Sequence, residues 1–157
     1  MPVTYELIRD QWVEKPLPEV FEFFSDAHNL EQITPSWLRF EVLTARPIEM
    51  KRGAHIDYRL KLHGFPMRWL SQITQWEPPM MFEDVQLQGP YALWRHSHWF
   101  ESYNGGTKLI DHVEYGLPLG VLGRFAHAVL VKRNVRQIFD YRYDKIRKLF
   151  GGPPRKT

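Results

Sequence analysis

Residues 121–150, VLGRFAHAVLVKRNVRQIFDYRYDKIRKLF, decide the fold. Their apolar side chains recur at helical spacing: Val121, Phe125, Ala128, Val131, Val135, Ile138, Phe139, Ile146, Leu149 and Phe150. At about 100° per residue these fall in one stripe, with Arg133, Asn134, Gln137, Asp140, Asp144, Lys145 and Lys148 opposite. A helix of this length is roughly 45 Å long, more than the width of a small domain. No heptad is sustained, so it does not read as a coiled coil. It needs a broad apolar surface to lie on.

The chain before it supplies one. Tyr5 to Val13 predicts a first strand, ended by Pro16 and Pro18, which suit the first turn of a helix. Glu19 to Phe24, with Val20, Phe21, Phe23 and Phe24, predicts a short apolar helix, and Leu30 to Ile33 one more turn before Pro35. From there the period changes to two. Strands are predicted at Phe40 to Thr44, His55 to Leu62, Met67 to Trp76, Met81 to Gln88, Leu93 to Tyr103 and Thr107 to Tyr115. In His55–Leu62, Ile56, Tyr58 and Leu60 alternate with Asp57 and Arg59, giving one dry and one wet face. Asn104-Gly105-Gly106 is a hairpin signal, because asparagine and glycine accept the positive φ such loops require. The order is β-α-α-β6-α, an α+β chain. Short connections predict a curved, mostly antiparallel sheet of about seven strands wrapped around the C-terminal helix, with a volume between them.

At 157 residues, 1–157 reads as a single domain, with 151–157 expected to be a flexible tail. Six Trp, ten Phe and seven Tyr suggest a core or cavity walled by large rings. The absence of cysteine excludes disulfides, thiolate metal sites and a cysteine nucleophile. The N-terminus has no charged lead-in before an apolar run, and nothing approaches the ~20 apolar residues of a membrane span. A soluble, cytoplasmic protein is expected. Net charge is +3, unevenly spread: from Leu119 onward there are ten Lys or Arg against Asp140 and Asp144, leaving 11 basic and 16 acidic residues before it. A basic helix can meet nucleic acid or anionic lipid, but no aromatic interleaving or RNA-binding motif accompanies it, so no specific nucleic-acid partner is expected.

Several stretches sharpen this reading: Pro18-Glu-Val-Phe-Glu-Phe-Phe24, Asn29-Leu-Glu-Gln-Ile-Thr-Pro35, Gly89 to Phe100, Gly106 to Tyr115 and Ile138-Phe-Asp-Tyr-Arg142. With the element order, they make the chain resemble the helix-grip fold of the SRPBCC superfamily, in its bacterial ligand-binding branch. That superfamily includes START-type lipid-transfer domains, plant pathogenesis-related allergens, polyketide cyclases and coenzyme Q-binding proteins. The resemblance implies a hydrophobic small-molecule ligand, and no cofactor is expected. It also implies association with an epimerase-like protein, since some relatives are fused to such a domain. No dinucleotide-binding glycine motif occurs here, so this chain cannot supply that activity.

The residues suited to chemistry lie on the last hairpin. His96 and His98 share a strand face with Trp94 and Phe100, and Leu109, Asp111, Val113 and Tyr115 share an inward face on its partner. Asp111 could orient His98 and raise its pKa, a general-base pair in an apolar cavity or simply a buried polar pair fixing the register. Metal binding by His96 and His98 would need His112 or Asp111 as a third ligand, and His112 lies on the opposite face, so no metal site is expected. Arg142, inside the apolar stripe, could bind a ligand carboxylate or phosphate or pair with a sheet carboxylate. Trp37, Phe40, Tyr58, Trp69, Trp94, Phe100 and Tyr115 are the expected wall. Three functions fit: binding or carriage of a hydrophobic molecule; a cyclase, dehydratase or hydrolase using His98 and Asp111; or interaction through the basic C-terminal helix.

Overall fold

The structure, a computed structural model, describes residues 2–157. Its centre is one seven-stranded antiparallel sheet in the order β1-β7-β6-β5-β4-β3-β2. The strands are β1 (Thr4–Val13), β2 (Glu41–Val42), β3 (His55–Leu62), β4 (Phe65–Glu77), β5 (Met81–Gln88), β6 (Leu93–Tyr103) and β7 (Gly106–Gly116). Helix α1 (Leu17–Phe24) follows β1, with two 3-10 turns, Ala27–Ile33 and Ser36–Leu38, before β2. This is the α+β helix-grip architecture, a curved sheet and a long C-terminal helix of 31 residues.

Local chemistry explains the elements. In β3 the expected alternation holds: Ile56, Tyr58 and Leu60 are buried. The β6–β7 turn places Asn104 at φ 48° and Gly105 at φ 76°, the backbone a tight right-twisted hairpin needs. The predicted strand at Phe40–Thr44 shrinks to the two residues of β2, because Thr44 spends its hydroxyl on the Asp57 amide. In α1, Phe21 and Phe24 turn onto the sheet, their rings 5.2 Å and 5.4 Å from Phe100.

The C-terminal helix has two unlike halves. It begins as α2 (Gly120–Ala126), passes through a π turn (His127–Val131) and continues as α3 (Lys132–Phe150). From α3, Val135, Phe139, Arg142, Ile146 and Phe150 are buried on the concave face. In α2 the buried residue is Gly123. The apolar stripe expected from Val121 to Phe150 therefore needs correction: Val121, Phe125, Ala128 and Leu149 face solvent. Periodicity names a face but not whether a sheet reaches it, and the extra residue of the π turn rotates the first half out of register with the second. His127, in that turn, stacks on Tyr5 at 3.4 Å between ring centroids, and its Nε2 lies 2.8 Å from Tyr115 Oη.

Residues 151–157, expected as a flexible tail, fold back along α3. Arg147 Nε donates to the Gly152 carbonyl at 3.1 Å, and the Arg155 guanidinium lies 3.6 Å from Asp140 and 3.7 Å from Asp144. Among the described residues no helix is long and apolar enough to cross a membrane.

The two halves of the helix predict opposite mutational costs. Ile146→Ala removes a fully buried side chain and should cost about 2–5 kcal/mol. Val121→Ala, on the exposed half, should stay within about 0.5 kcal/mol of the parent. Urea unfolding of both variants checks the pair; equal losses would contradict the division.

Candidate functional site

Strands β5, β6 and β7 lie side by side, so period-two alternation sends Phe82 and Asp84, His96 and His98, and Asp111 and Val113 to the concave face. Directly opposite residues are His98 and Asp111 on one side, and His96 and Asp84 on the other. The hydrogen bonds, however, run diagonally. His96 Nε2 lies 2.7 Å from Asp111 Oδ1, and His98 Nε2 lies 2.8 Å from Asp84 Oδ2. The expected His98–Asp111 pair is thus corrected: His98 Nδ1 stands 3.5 Å from Asp111 Oδ1, too long for a strong bond. The cause is ring stacking. The imidazoles lie 3.7 Å apart between centroids, with Phe82 against His98 at 4.1 Å, and this layering tips each ring toward the diagonal carboxylate.

Arg142 descends from α3 onto this group. Its Nη2 lies 3.5 Å from both Asp111 Oδ1 and His98 Nδ1, and its guanidinium passes 5.4 Å from the Phe24 ring centroid. Its Nε is buried and has no hydrogen-bond partner among the described residues. With Nε2 of each imidazole donating to a carboxylate, the lone pairs fall on the Nδ1 atoms; His98 Nδ1 faces Arg142.

Electrostatics follow from burial. The interior, and secondly the neighbouring His96, depress His98 to a pKa of about 4, against the rise expected from a carboxylate partner. Burial alone would raise both carboxyls. Burial is the largest single influence on each, but for Asp84 the His98 hydrogen bond together with the charges of His98, His96 and Arg142 outweighs it. For Asp111 the Arg142 charge together with His96 and His98 does, so both stay below the usual carboxylate range. Burial, followed by the Asp84 charge, pushes the Tyr58 phenol well up.

This group closes one side of a cavity of about 170 Å³ between sheet and helix. Engineered core cavities of ~150 Å³ accept a benzene-sized molecule. Of the residues expected to line it, the structure brings Phe40, Tyr58, Trp69, Trp94, His96, His98 and Arg142 onto its wall. The remaining four are elsewhere. Trp37 is 57% exposed, because Leu38 takes the inward place in its 3-10 turn. Phe100 is consumed by α1, packed on Phe21 and Phe24. Tyr115 is held under His127, and Asp111 lies behind the imidazoles.

Sequence reasoning missed Asp84, Tyr91, Ser71 and Phe139 on the wall. For Asp84 the parity with Phe82 was the available signal. It was obscured because β5 buries both Met81 and Phe82, next to register shifts in its pairing with β4. Asp84, His96 and His98 do present ligand atoms within 4.8 Å of one another. A divalent ion there would sit beside the Arg142 guanidinium, 3.5 Å from His98 Nδ1, and the imidazole–carboxylate bonds make the donor set read as a hydrogen-bond ladder.

A curved antiparallel sheet gripping a terminal helix over an apolar cavity defines a class of helix-grip domains consistent with hydrophobic ligand binding. The chain belongs to the polyketide cyclase / dehydrase and lipid transport family, whose sequence profile matches residues 13–139. No curated protein sequence matches it. Among solved structures, it is similar to a protein from Chromobacterium violaceum, with 15% identity, TM-score 0.70, and 97% of this chain and 100% of that one covered. It is also similar to ginseng major latex-like protein 151 from Panax ginseng, with 13% identity, TM-score 0.68 and coverage of 94% and 97%. A nucleoside-diphosphate sugar epimerase from Corynebacterium glutamicum matches at 20% identity and TM-score 0.64 over 90% of this chain but only 28% of its own.

The depressed pKa values predict acid sensitivity. Position 98 takes up a proton near pH 6.5 when unfolded and near pH 4 when folded, so between these values the unfolded state holds more protons. Its stabilising contribution is complete above pH 6.5 and falls as the pH drops toward 4; Asp84 and Asp111 add further loss below that. Thermal melts across this range should show the decline, and His98→Gln should flatten its upper part. An unchanged slope in the variant would contradict the assignment.

Proposed function

We propose that the protein binds, and carries, a hydrophobic small molecule whose single polar end meets His96 and Arg142. The observation that carries this reading is the contrast within one cavity. Most of its wall is apolar, including Ile56, Ile73, Trp69 and Phe139, while its charged and imidazole groups are Asp84, His96, His98 and Arg142, gathered in one cluster. Arg142 keeps a buried donor, Nε, without a partner among the described residues, and such a group costs free energy until an acceptor reaches it. A ligand with a hydroxyl, carbonyl or carboxylate at one end and an apolar body satisfies both regions.

Carriage is favoured over turnover by His98. A base with a pKa of about 4 is weak at neutral pH, and without the imidazolium proton it is a poor acid. With Nε2 donating to Asp84, its lone pair is on Nδ1, which faces the Arg142 guanidinium at 3.5 Å. A cyclase, dehydratase or hydrolase activity using His98 would have to gather a proton beside that positive charge.

Native mass spectrometry of freshly purified protein tests the reading. It should show the chain with a non-covalent apolar adduct, released on denaturation. His98→Ala should retain the adduct at reduced occupancy. Arg142→Gln should weaken rebinding of a carboxylate-bearing probe such as laurate by about tenfold or more, and of the methyl ester much less. A chain that carries no adduct and takes up neither probe would overturn it.

A further inference from the structure

The first half of the C-terminal helix has an outward face that nothing in the fold covers. Val121, Leu122, Phe125 and Val129 are between 63 and 70% exposed, and Leu119, just before the helix, is 76% exposed. Phe65, the first residue of β4, is 71% exposed, and His63 in the turn before it lies 2.8 Å from Asn134 of α3, so the hairpin tip sits at the same end of the molecule. A contiguous apolar surface of this kind is uncommon on a protein that meets only water.

The surrounding charge identifies what it meets. Arg124, Lys132, Arg133 and Arg136 are exposed, and between Glu114 and Asp140 the chain has no acidic residue. Phe125 and Arg133 are eight positions apart, about 12 Å along the helix. We propose that this end of the protein docks on an anionic membrane surface, Leu122 and Phe125 entering the headgroup–acyl boundary and the Lys132–Arg136 segment resting at the lipid phosphates. Interfacial helices are held by burial of apolar side chains together with attraction of nearby Lys and Arg to anionic lipid, and this end of the helix offers both within about 12 Å. A second copy of the chain fits less well. A two-fold contact through the same patch would bring the arginines and lysines of both copies face to face with no carboxylate among them. Leu62 at the end of β3, and Pro90 and Tyr91 in the β5–β6 connection, also line the cavity at this end, so docking brings its wall to the lipid. The surface stands on its own exposure and charge, whether or not the cavity is occupied.

Co-sedimentation of the full chain with phosphatidylcholine vesicles, with and without phosphatidylglycerol, tests the proposal. The expected result is binding to the phosphatidylglycerol vesicles that weakens as salt rises, and binding at least about tenfold weaker to phosphatidylcholine alone. The double variants Leu122→Ser/Phe125→Ser and Lys132→Gln/Arg133→Gln should each lose about tenfold or more while keeping the parent's melting temperature, since all four side chains are exposed. Failure of the folded parent to bind anionic vesicles would overturn the proposal, as would binding that both variants leave intact. So would a dimer by light scattering that Leu122→Ser/Phe125→Ser converts to monomer, which would assign the patch to a second copy.

Discussion

Five side chains of α3, Val135, Phe139, Arg142, Ile146 and Phe150, rest on the concave face of the sheet, and the rest of the structure depends on that contact. A seven-stranded antiparallel sheet with one apolar face is stable only when that face is covered. The helix covers its middle, and α1 fills one end with Phe21 and Phe24 against Phe82 and Phe100. Toward the other end the rings of Trp69, Tyr91 and Trp94 wall a cavity that Leu30 and Ile33 of the first 3-10 turn also line. The void is what remains when one rod and one short helix cover a curved sheet.

One member of the covering stripe is a charge, and it organises the polar chemistry. Arg142 cannot shed its proton, so its burial demands negative charge nearby, and Asp111 supplies it. Asp111 in turn holds His96, and the stacked His98 turns to Asp84. Each group is explained by the one before it. The same burial that keeps His98 unprotonated makes every vacant donor or acceptor beside it a demand on whatever enters the cavity.

The helix changes character at the π turn. Beyond it, α3 is spent on the fold; before it, α2 buries Gly123 and leaves its large apolar residues outside. A helix built only to close the sheet would not carry Phe125 and Leu122 into solvent. The end of the molecule that the fold does not use lies next to connections that line the cavity.

The element order, the antiparallel sheet and the inward positions of Ile56, Tyr58, His96, His98 and Asp111 could be read from residue spacing, because strand alternation and helix periodicity are local properties of the backbone. What spacing could not supply was anything set by a distant neighbour. Whether Phe100 met a ligand or Phe21 depended on where α1 packed. Which carboxylate each histidine chose depended on ring stacking across β6, and Asp84 entered only through its place beside β6. Val121 and Phe125 share their period with Phe139 and Ile146, yet only the second pair meets a sheet, since a repeating pattern defines a face and tertiary contact decides whether the face is covered.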